Sequence, residues 1–298
     1  MMLSIGQGDI SHGLEAVPVR LEEGVEPPDF KYTPENVVGP GAGLDPTEVM
    51  FPGCRCQTTP CSGFTCQCLH HGDNYEHRFL KVDEATGVTS RPIFECNVMC
   101  TCGELCPNRV VQWGLQTHLL LFRTERKGLG VRSLARIRKG QFVCEYAGEV
   151  LGLHEARRRI SQQQPSDSNY LIAVREHLHS GQVMETFIDP ANTGNIGRFL
   201  NHSCSPNLVM VPVRVDSMVP KLALFAAQDI QAGEELCYDY SGRFQNFTGS
   251  VKGQEESAKV RVPQKPCHCG AKSCSGSLPY EADLYHGSCE EDSGPGVA

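Results

Sequence analysis

Nine cysteines fall between positions 54 and 106, spaced Cys54-x-Cys56-x4-Cys61-x4-Cys66-x-Cys68 and then Cys96-x3-Cys100-x-Cys102-x3-Cys106. They cannot all pair as disulfides, and a Cys-x-Cys pair closes too tight a loop for relaxed disulfide geometry. Thiolates this close together are good soft ligands for tetrahedral Zn²⁺. Three zinc ions need twelve ligand positions, and nine sulfurs fill them if three sulfurs each bridge two metals. Two zincs would leave one cysteine idle, so three are expected. Nine thiolates and three dications sum to −3, which basic neighbours or backbone N–H groups should offset. Little apolar sequence accompanies the cluster, so the metal must provide much of the local folding energy.

The competing explanation, a secreted disulfide knot, needs an oxidising compartment. The opening residues MMLSIGQGDISHGLEAVP lack a charged start followed by an apolar run, so no secretory signal is expected. A reducing compartment then leaves sixteen cysteines that need an explanation other than disulfides. No apolar window is long enough to span a membrane. With 27 basic against 35 acidic residues, the net charge of −8 argues against a chain that coats nucleic acid. It suits a Lys/Arg-rich peptide partner.

A second group, Cys267-x-Cys269-x4-Cys274, is one ligand short of a tetrahedral site. His268 is a possible fourth ligand, but a residue directly between two cysteines is expected to point away from both. Cys204, in NHSCSPN, is the better fourth ligand, and its use would fold the tail back onto residues 201–207. Cys144, Cys237 and Cys289 remain, the first two in strand patterns and expected to be ordinary core or surface thiols.

Residues 1–50 are rich in Gly, Pro and acidic side chains and read as a loosely ordered arm; the zinc cluster occupies 51–110. In 111–242, short β-branched and aromatic runs recur between turn residues: 118–124, 142–151, 170–174, 184–189, 208–215, 222–227 and 235–240. One helix is expected over 153–163, closed by Pro165 and carrying Arg157, Arg158 and Arg159. The fold class is mainly β, built from small sheets with few helices. Residues 243–264 read as a linker, 265–281 as a compact zinc-binding tail and 282–298 as a disordered end.

Several segments together resemble a known family. Residues 54–106 look like the nine-cysteine, three-zinc pre-SET cluster, and Lys127-Gly128-Leu129-Gly130-Val131-Arg132 looks like the opening cofactor motif of SET domains. Residues 198–207, RFLNHSCSPN, are similar to the SET signature, residues 234–240, EELCYDY, to its tyrosine segment, and 267–274 to the post-SET motif. Each match alone is moderately specific; the ordered set is very specific. The chain is identified on these motifs as a member of the pre-SET/SET/post-SET histone lysine methyltransferase family.

The resemblance implies a β-clip-like fold in which residues 201–204 thread beneath the loop leading to residues 238–240 as a pseudoknot. It implies methyl transfer from S-adenosylmethionine to a lysine, with histone H3 as substrate and a nuclear, chromosomal location. Cys54, Cys61 and Cys96 become the bridging thiolates, and Cys204, Cys267, Cys269 and Cys274 the tail zinc ligands. Lys127, Gly128 and Leu129 would meet the cofactor through backbone; the other reading of this stretch is a plain β-turn. Asn201 and His202 would hydrogen-bond the cofactor's amino-acid and adenine parts, or else staple an internal turn. Tyr170 and Arg198 would assist at the cofactor, against readings as a strand aromatic and a surface charge. Tyr240 matches the catalytic tyrosine, Tyr238 the position that tunes the product, and Tyr146 the wall of the lysine channel, against core packing for all three. A tyrosine at 238 implies mono- or dimethylation.

Two other classes stay open on sequence. One is a zinc-stabilised chromatin-binding or scaffold module without turnover. The other, a sequence-specific DNA binder, needs a basic recognition helix; Arg157–Arg159 is the one candidate and reads better as a solvated face. Neither sequence-specific DNA contact nor membrane association is expected.

Overall fold

The computed structural model describes residues 5–56, 60–63, 65–82, 91–164, 167–177, 183–241 and 265–279. The expected linker, the disordered end, Cys289 and Pro165 lie outside them.

Three small sheets carry the fold. The first has six strands in the order Ile5–Asp9, Arg20–Glu22, Leu119–Arg123, Leu129–Ser133, Glu235–Tyr238 and Asn201–His202. The second runs Phe142–Tyr146, Lys221–Ala226, Leu208–Arg214 and Ile93–Phe94. The third runs Ile172–His177, Val183–Gly194, Gly148–Leu151 and Val37–Val38, with Lys31–Tyr32 paired to Val183–Gly194. A short hairpin joins Tyr75–Glu76 to Phe79–Leu80. The α-helix spans Leu153–Gln162 and buries Ala156 and Ile160, four residues apart on one face. Among the described residues no helix is long and apolar enough to cross a membrane.

The seven expected strand runs are all present, with one divided. Residues 142–151 break at Ala147, so that 142–146 pair with Lys221–Ala226 while 148–151 cross to the third sheet. This break lets one short segment join two sheets around a common core. That core includes Leu119, Leu121, Val131, Ile137, Val143, Ile188, Ile196, Leu222, Leu224 and Tyr238. Leu119, Leu120 and Leu121 are all fully buried, since both faces of their strand are covered.

The expectation of a loosely ordered arm needs correction: four stretches, Ile5–Asp9, Arg20–Glu22, Lys31–Tyr32 and Val37–Val38, are strands of the sheets. Arg20–Glu22 pairs in parallel with Leu119–Arg123, Lys31–Tyr32 with Val183–Gly194, and Val37–Val38 with Gly148–Leu151. The carboxylate of Asp9 accepts from the amides of Ser11, Gly13 and Val19, closing the first turn. The Tyr32 hydroxyl donates to Glu15 Oε1 at 2.9 Å, which locks two parts of the segment together. Strands of two or three residues show no periodicity of their own, and order here comes from partners distant in sequence.

Around the first cysteine cluster the packing is almost entirely sulfur. Among the described residues, Leu69 is its one buried apolar companion besides the cysteines. This is the composition of a segment whose core is a metal cluster rather than hydrocarbon.

Candidate active site and metal centres

The thiols gather as the ligand arithmetic requires. Cys54, Cys68, Cys96 and Cys100 hold their sulfurs within 4.8 Å of one another, as do Cys61, Cys96, Cys102 and Cys106, and Cys54, Cys61, Cys66 and Cys96. Cys54, Cys61 and Cys96 each recur among these sets, as bridging thiolates must. Cys56 belongs to none of these groups, although the thiols of Cys66, Cys54 and Cys61 are among its neighbours. Donors surround the sulfurs: Cys54 and Asn97 direct backbone N–H groups to Cys100 Sγ, each at 3.2 Å. The buried Arg109 guanidinium lies 3.8 Å from Cys102 Sγ. These are the positive and N–H groups expected to offset the cluster's charge. The donor set fits zinc, and each metal held there would supply a structural cross-link.

The tail folds back as expected. Cys204, Cys267, Cys269 and Cys274 place their sulfurs within 4.8 Å of one another, whereas His268 is exposed. A fourth zinc fits this all-sulfur set.

Next to it, two distant segments run side by side. Asn201 pairs with Cys237 and His202 with Tyr238 in parallel register, and the Ser203 amide donates to the Tyr238 carbonyl at 3.1 Å. Strand pairing therefore carries residues 201–203 directly alongside the tyrosine segment. Tyr238 and Tyr240 have ring centroids 4.9 Å apart, and Tyr146 stands edge-on to Tyr238 at 6.1 Å. The Tyr240 hydroxyl donates to the Leu200 carbonyl at 2.8 Å, and the Tyr146 hydroxyl to the Tyr170 carbonyl. Burial is the main force raising all three phenols above their ordinary range. Each is a neutral hydroxyl at physiological pH. Tyr240 remains 37% exposed, so the cluster opens to solvent on its side.

The His202 imidazole is buried and committed internally. Its Nδ1 accepts the Tyr240 backbone N–H at 3.2 Å, which assigns the proton to Nε2. Nε2 then donates to Cys204 Sγ at 3.3 Å. Burial lowers its pKa and keeps the ring neutral. Both ring nitrogens are thus engaged within the chain, and the imidazole joins Cys204 of the tail cysteine group to the tyrosine segment.

A polar group lies on the other side of Asn201. Its Nδ2 donates to the Leu129 carbonyl at 2.9 Å and to Glu235 Oε1 at 3.0 Å, and Lys127 Nζ reaches both oxygens of Glu235 at 2.7 Å. Gly128 takes the turn of this hairpin at φ +75, with open space where a side chain would be. Gly130 is required by close approach: a Cβ there would lie 3.0 Å from Asn201 Nδ2 and 2.8 Å from Thr124 Cγ2. The motif is both a β-turn and a neighbour of Asn201. Glu235, which organises the group, belongs to a motif read from sequence but was given no role there.

Arg198 is no surface charge. It is buried among Phe30, Tyr170 and Phe199, with its Cζ 4.5, 4.7 and 5.1 Å from the ring centroids. Its Nε and Nη1 are buried without a hydrogen-bond partner. Cys144 and Cys237 are buried as expected, and burial pushes the Cys237 thiol up to about 12. On the helix, Arg158 pairs with Glu155, and Arg159 with Glu149, Glu155 and Asp189. Those two arginines belong to carboxylate networks.

Comparison with known proteins agrees with this geometry. A family model for the SET domain matches residues 128–241, and one for the pre-SET motif matches residues 11–109, taking in most of the N-terminal strands. Histone-lysine N-methyltransferase SETMAR of Bos taurus is 58% identical over 283 residues, covering 94% of this chain and 92% of that protein. The probable histone-lysine N-methyltransferase set-23 of Caenorhabditis elegans is 39% identical over 260 residues, covering 85% and 98%. Among solved structures, the methyltransferase domain of human SETMAR superposes with TM-score 0.82 at 55% identity, covering 93% of this chain and 99% of that one. Arabidopsis thaliana SUVH6 in complex with SAM superposes with TM-score 0.72 at 31% identity, covering 93% and 56%. KRYPTONITE in complex with DNA, an H3(1-15) peptide and SAH does so with TM-score 0.66 at 28% identity, covering 93% and 54%. More than half identical to SETMAR along nearly its whole length, and matched in order by the pre-SET and SET models, the chain belongs to the SET-domain histone-lysine N-methyltransferases.

Proposed function

We propose that this chain transfers the methyl group of S-adenosylmethionine to a lysine of histone H3, stopping at the mono- or dimethyl product, and works on chromatin in the nucleus. The observation that carries the reading is the pairing of Asn201–His202 with Cys237–Tyr238, which gathers three neutral tyrosines beside a polar, glycine-lined turn.

When bound, S-adenosylmethionine supplies an electrophilic methyl carbon on a positively charged sulfur. The open turn at Gly128, the Leu129 backbone and the orphaned N–H groups of Arg198 fit its polar parts. A buried guanidinium without an anion favours a carboxylate, and the methionyl portion carries one. Both Nδ2 hydrogens of Asn201 are already taken, so its Oδ1 is the atom left for the cofactor's amino group. Lys127 is held away by Glu235 and meets the cofactor through its backbone.

The chain's task toward lysine is positioning and desolvation. An aromatic tunnel disfavours the ammonium, so the amine enters in its neutral, nucleophilic form. Tyr240, fixed through Leu200 and His202, aligns the amine, and the proton leaves to water. Tyr146 and Tyr238 form the wall, and the Tyr238 hydroxyl crowds a growing methylammonium. The reading is supported by the solved relatives that hold SAM, SAH or an H3 peptide. It is tested by methylation of an H3 peptide array with mass-spectrometric site mapping. One or two methyls on a defined lysine are expected; no transfer to any H3 peptide would refute it.

A further inference from the structure

We propose that Phe30, from the N-terminal segment, is a positioning residue for the cofactor: it holds the Arg198 guanidinium against Tyr170 and so aims two unpaired N–H groups at the cofactor's carboxylate. This inference rests on the cofactor role proposed above for Arg198.

Burying a guanidinium without an anion costs several kcal/mol unless other groups offset it. Here aromatic faces do so: the Arg198 Cζ lies 4.5 Å from the Phe30 centroid and 4.7 Å from that of Tyr170. Phe30 is itself set edge-on to Phe199 at 5.5 Å and packs near Tyr32 at 6.1 Å. Such faces attract a cation yet take none of its N–H donors. Nε and Nη1 remain buried and unpartnered on a residue only 6% exposed. A side chain that is fixed in place, desolvated and unsatisfied is arranged for a ligand.

The position of Phe30 follows from strand register. Lys31 pairs with Thr193 and Tyr32 with Gly194, and the Thr33 amide donates to the Gly194 carbonyl at 2.9 Å. Alternation then puts Phe30 on the buried face with Tyr32 while Lys31 faces solvent. Gly194 leads within four residues to Arg198 through the turn Ile196–Phe199. The same pairing therefore places both the ring and the guanidinium. The Tyr32–Glu15 hydrogen bond pins the strand in that register.

The test is calorimetric titration of S-adenosylmethionine into the full chain and its variants, with the melting transition recorded for each. Phe30→Leu keeps bulk but removes the ring face, and should weaken binding about three- to tenfold, the size of one cation–π contact. Phe30→Tyr should restore affinity, the solvent-facing control Lys31→Ala should leave it unchanged, and KM for H3 peptide should not move. In an Arg198→Met background, Phe30→Leu should add nothing. Wild-type affinity in Phe30→Leu, with Arg198→Met still weakened, would overturn the role of Phe30 alone. An equal loss from Phe30→Leu in the Arg198→Met background would mark a general packing effect and overturn it too. Wild-type affinity in Arg198→Met would instead defeat the underlying cofactor assignment.

Discussion

The Nδ1 of His202 accepts the backbone N–H of Tyr240 at 3.2 Å, while its Nε2 faces Cys204 Sγ at 3.3 Å. One neutral ring thus connects a thiolate of the tail metal centre to the main chain of the tyrosine proposed to align the substrate. Groups that orient metal ligands commonly matter as much as the ligands themselves.

Loss of the tail metal should therefore disable catalysis without unfolding the chain. Cys274→Ser, which leaves Cys204 and its contact with His202 in place, is expected to lower zinc content by one per chain by elemental analysis and to cut activity at least about tenfold. The pre-SET zincs should stay. Full activity with that zinc gone would show that Tyr240 is positioned without it.

Glu235 anchors both Lys127 and Asn201. Glu235→Gln removes the charge that pairs with Lys127, partly buried on both sides. KM for S-adenosylmethionine should rise about tenfold, since breaking such a pair leaves an unmatched ammonium. KM for peptide should be unchanged. Steady-state kinetics with each substrate varied in turn checks this.

Tyr238 sits at the inner wall, against Tyr146 and Tyr240. Tyr238→Phe removes the hydroxyl and whatever water it holds, leaving room for another methyl. Mass spectrometry of the reacted peptide should show trimethyl-lysine accumulating where the wild type stops at one or two. An unchanged product distribution would place the limit elsewhere.

The pH dependence should belong to the substrate. Burial raises the Tyr240 phenol above its ordinary range, so it stays protonated between about pH 6 and 10. The lysine amine must lose a proton to react. kcat/KM should climb with pH through this window as neutral amine accumulates, without a falling limb from Tyr240. A decline below about pH 10 that tracks phenolate formation at Tyr240 would contradict this.

Much of this arrangement could be read from the sequence because its signals are local. Cysteine spacing gave the zinc arithmetic, and the odd ligand set of the tail pointed to Cys204, which lies beside Cys267, Cys269 and Cys274. Short β-branched and aromatic runs marked eight of the strands, one run dividing in two, but not Leu129–Ser133. The hidden parts depend on partners far along the chain. Lys31–Tyr32 and Val37–Val38 are too short to show a period, and acquire order only against Val183–Gly194 and Gly148–Leu151. For the same reason Phe30 looked like part of an arm. That Arg198 is buried rather than a surface charge could not be settled from sequence, because no sequence pattern reveals three rings converging on it from separate segments. The internal commitment of the His202 ring also depends on residue 240 and could not be foreseen from NHSC alone.

The most direct measurement is transfer of labelled methyl from S-adenosylmethionine to histone H3 by wild type and Tyr240→Phe. Removing one preorganised hydroxyl should cut kcat about a hundredfold, while cofactor binding and the melting transition stay as in wild type. Equal transfer by the two proteins would contradict the account, since the paired strands would then bring together a tyrosine the reaction does not use.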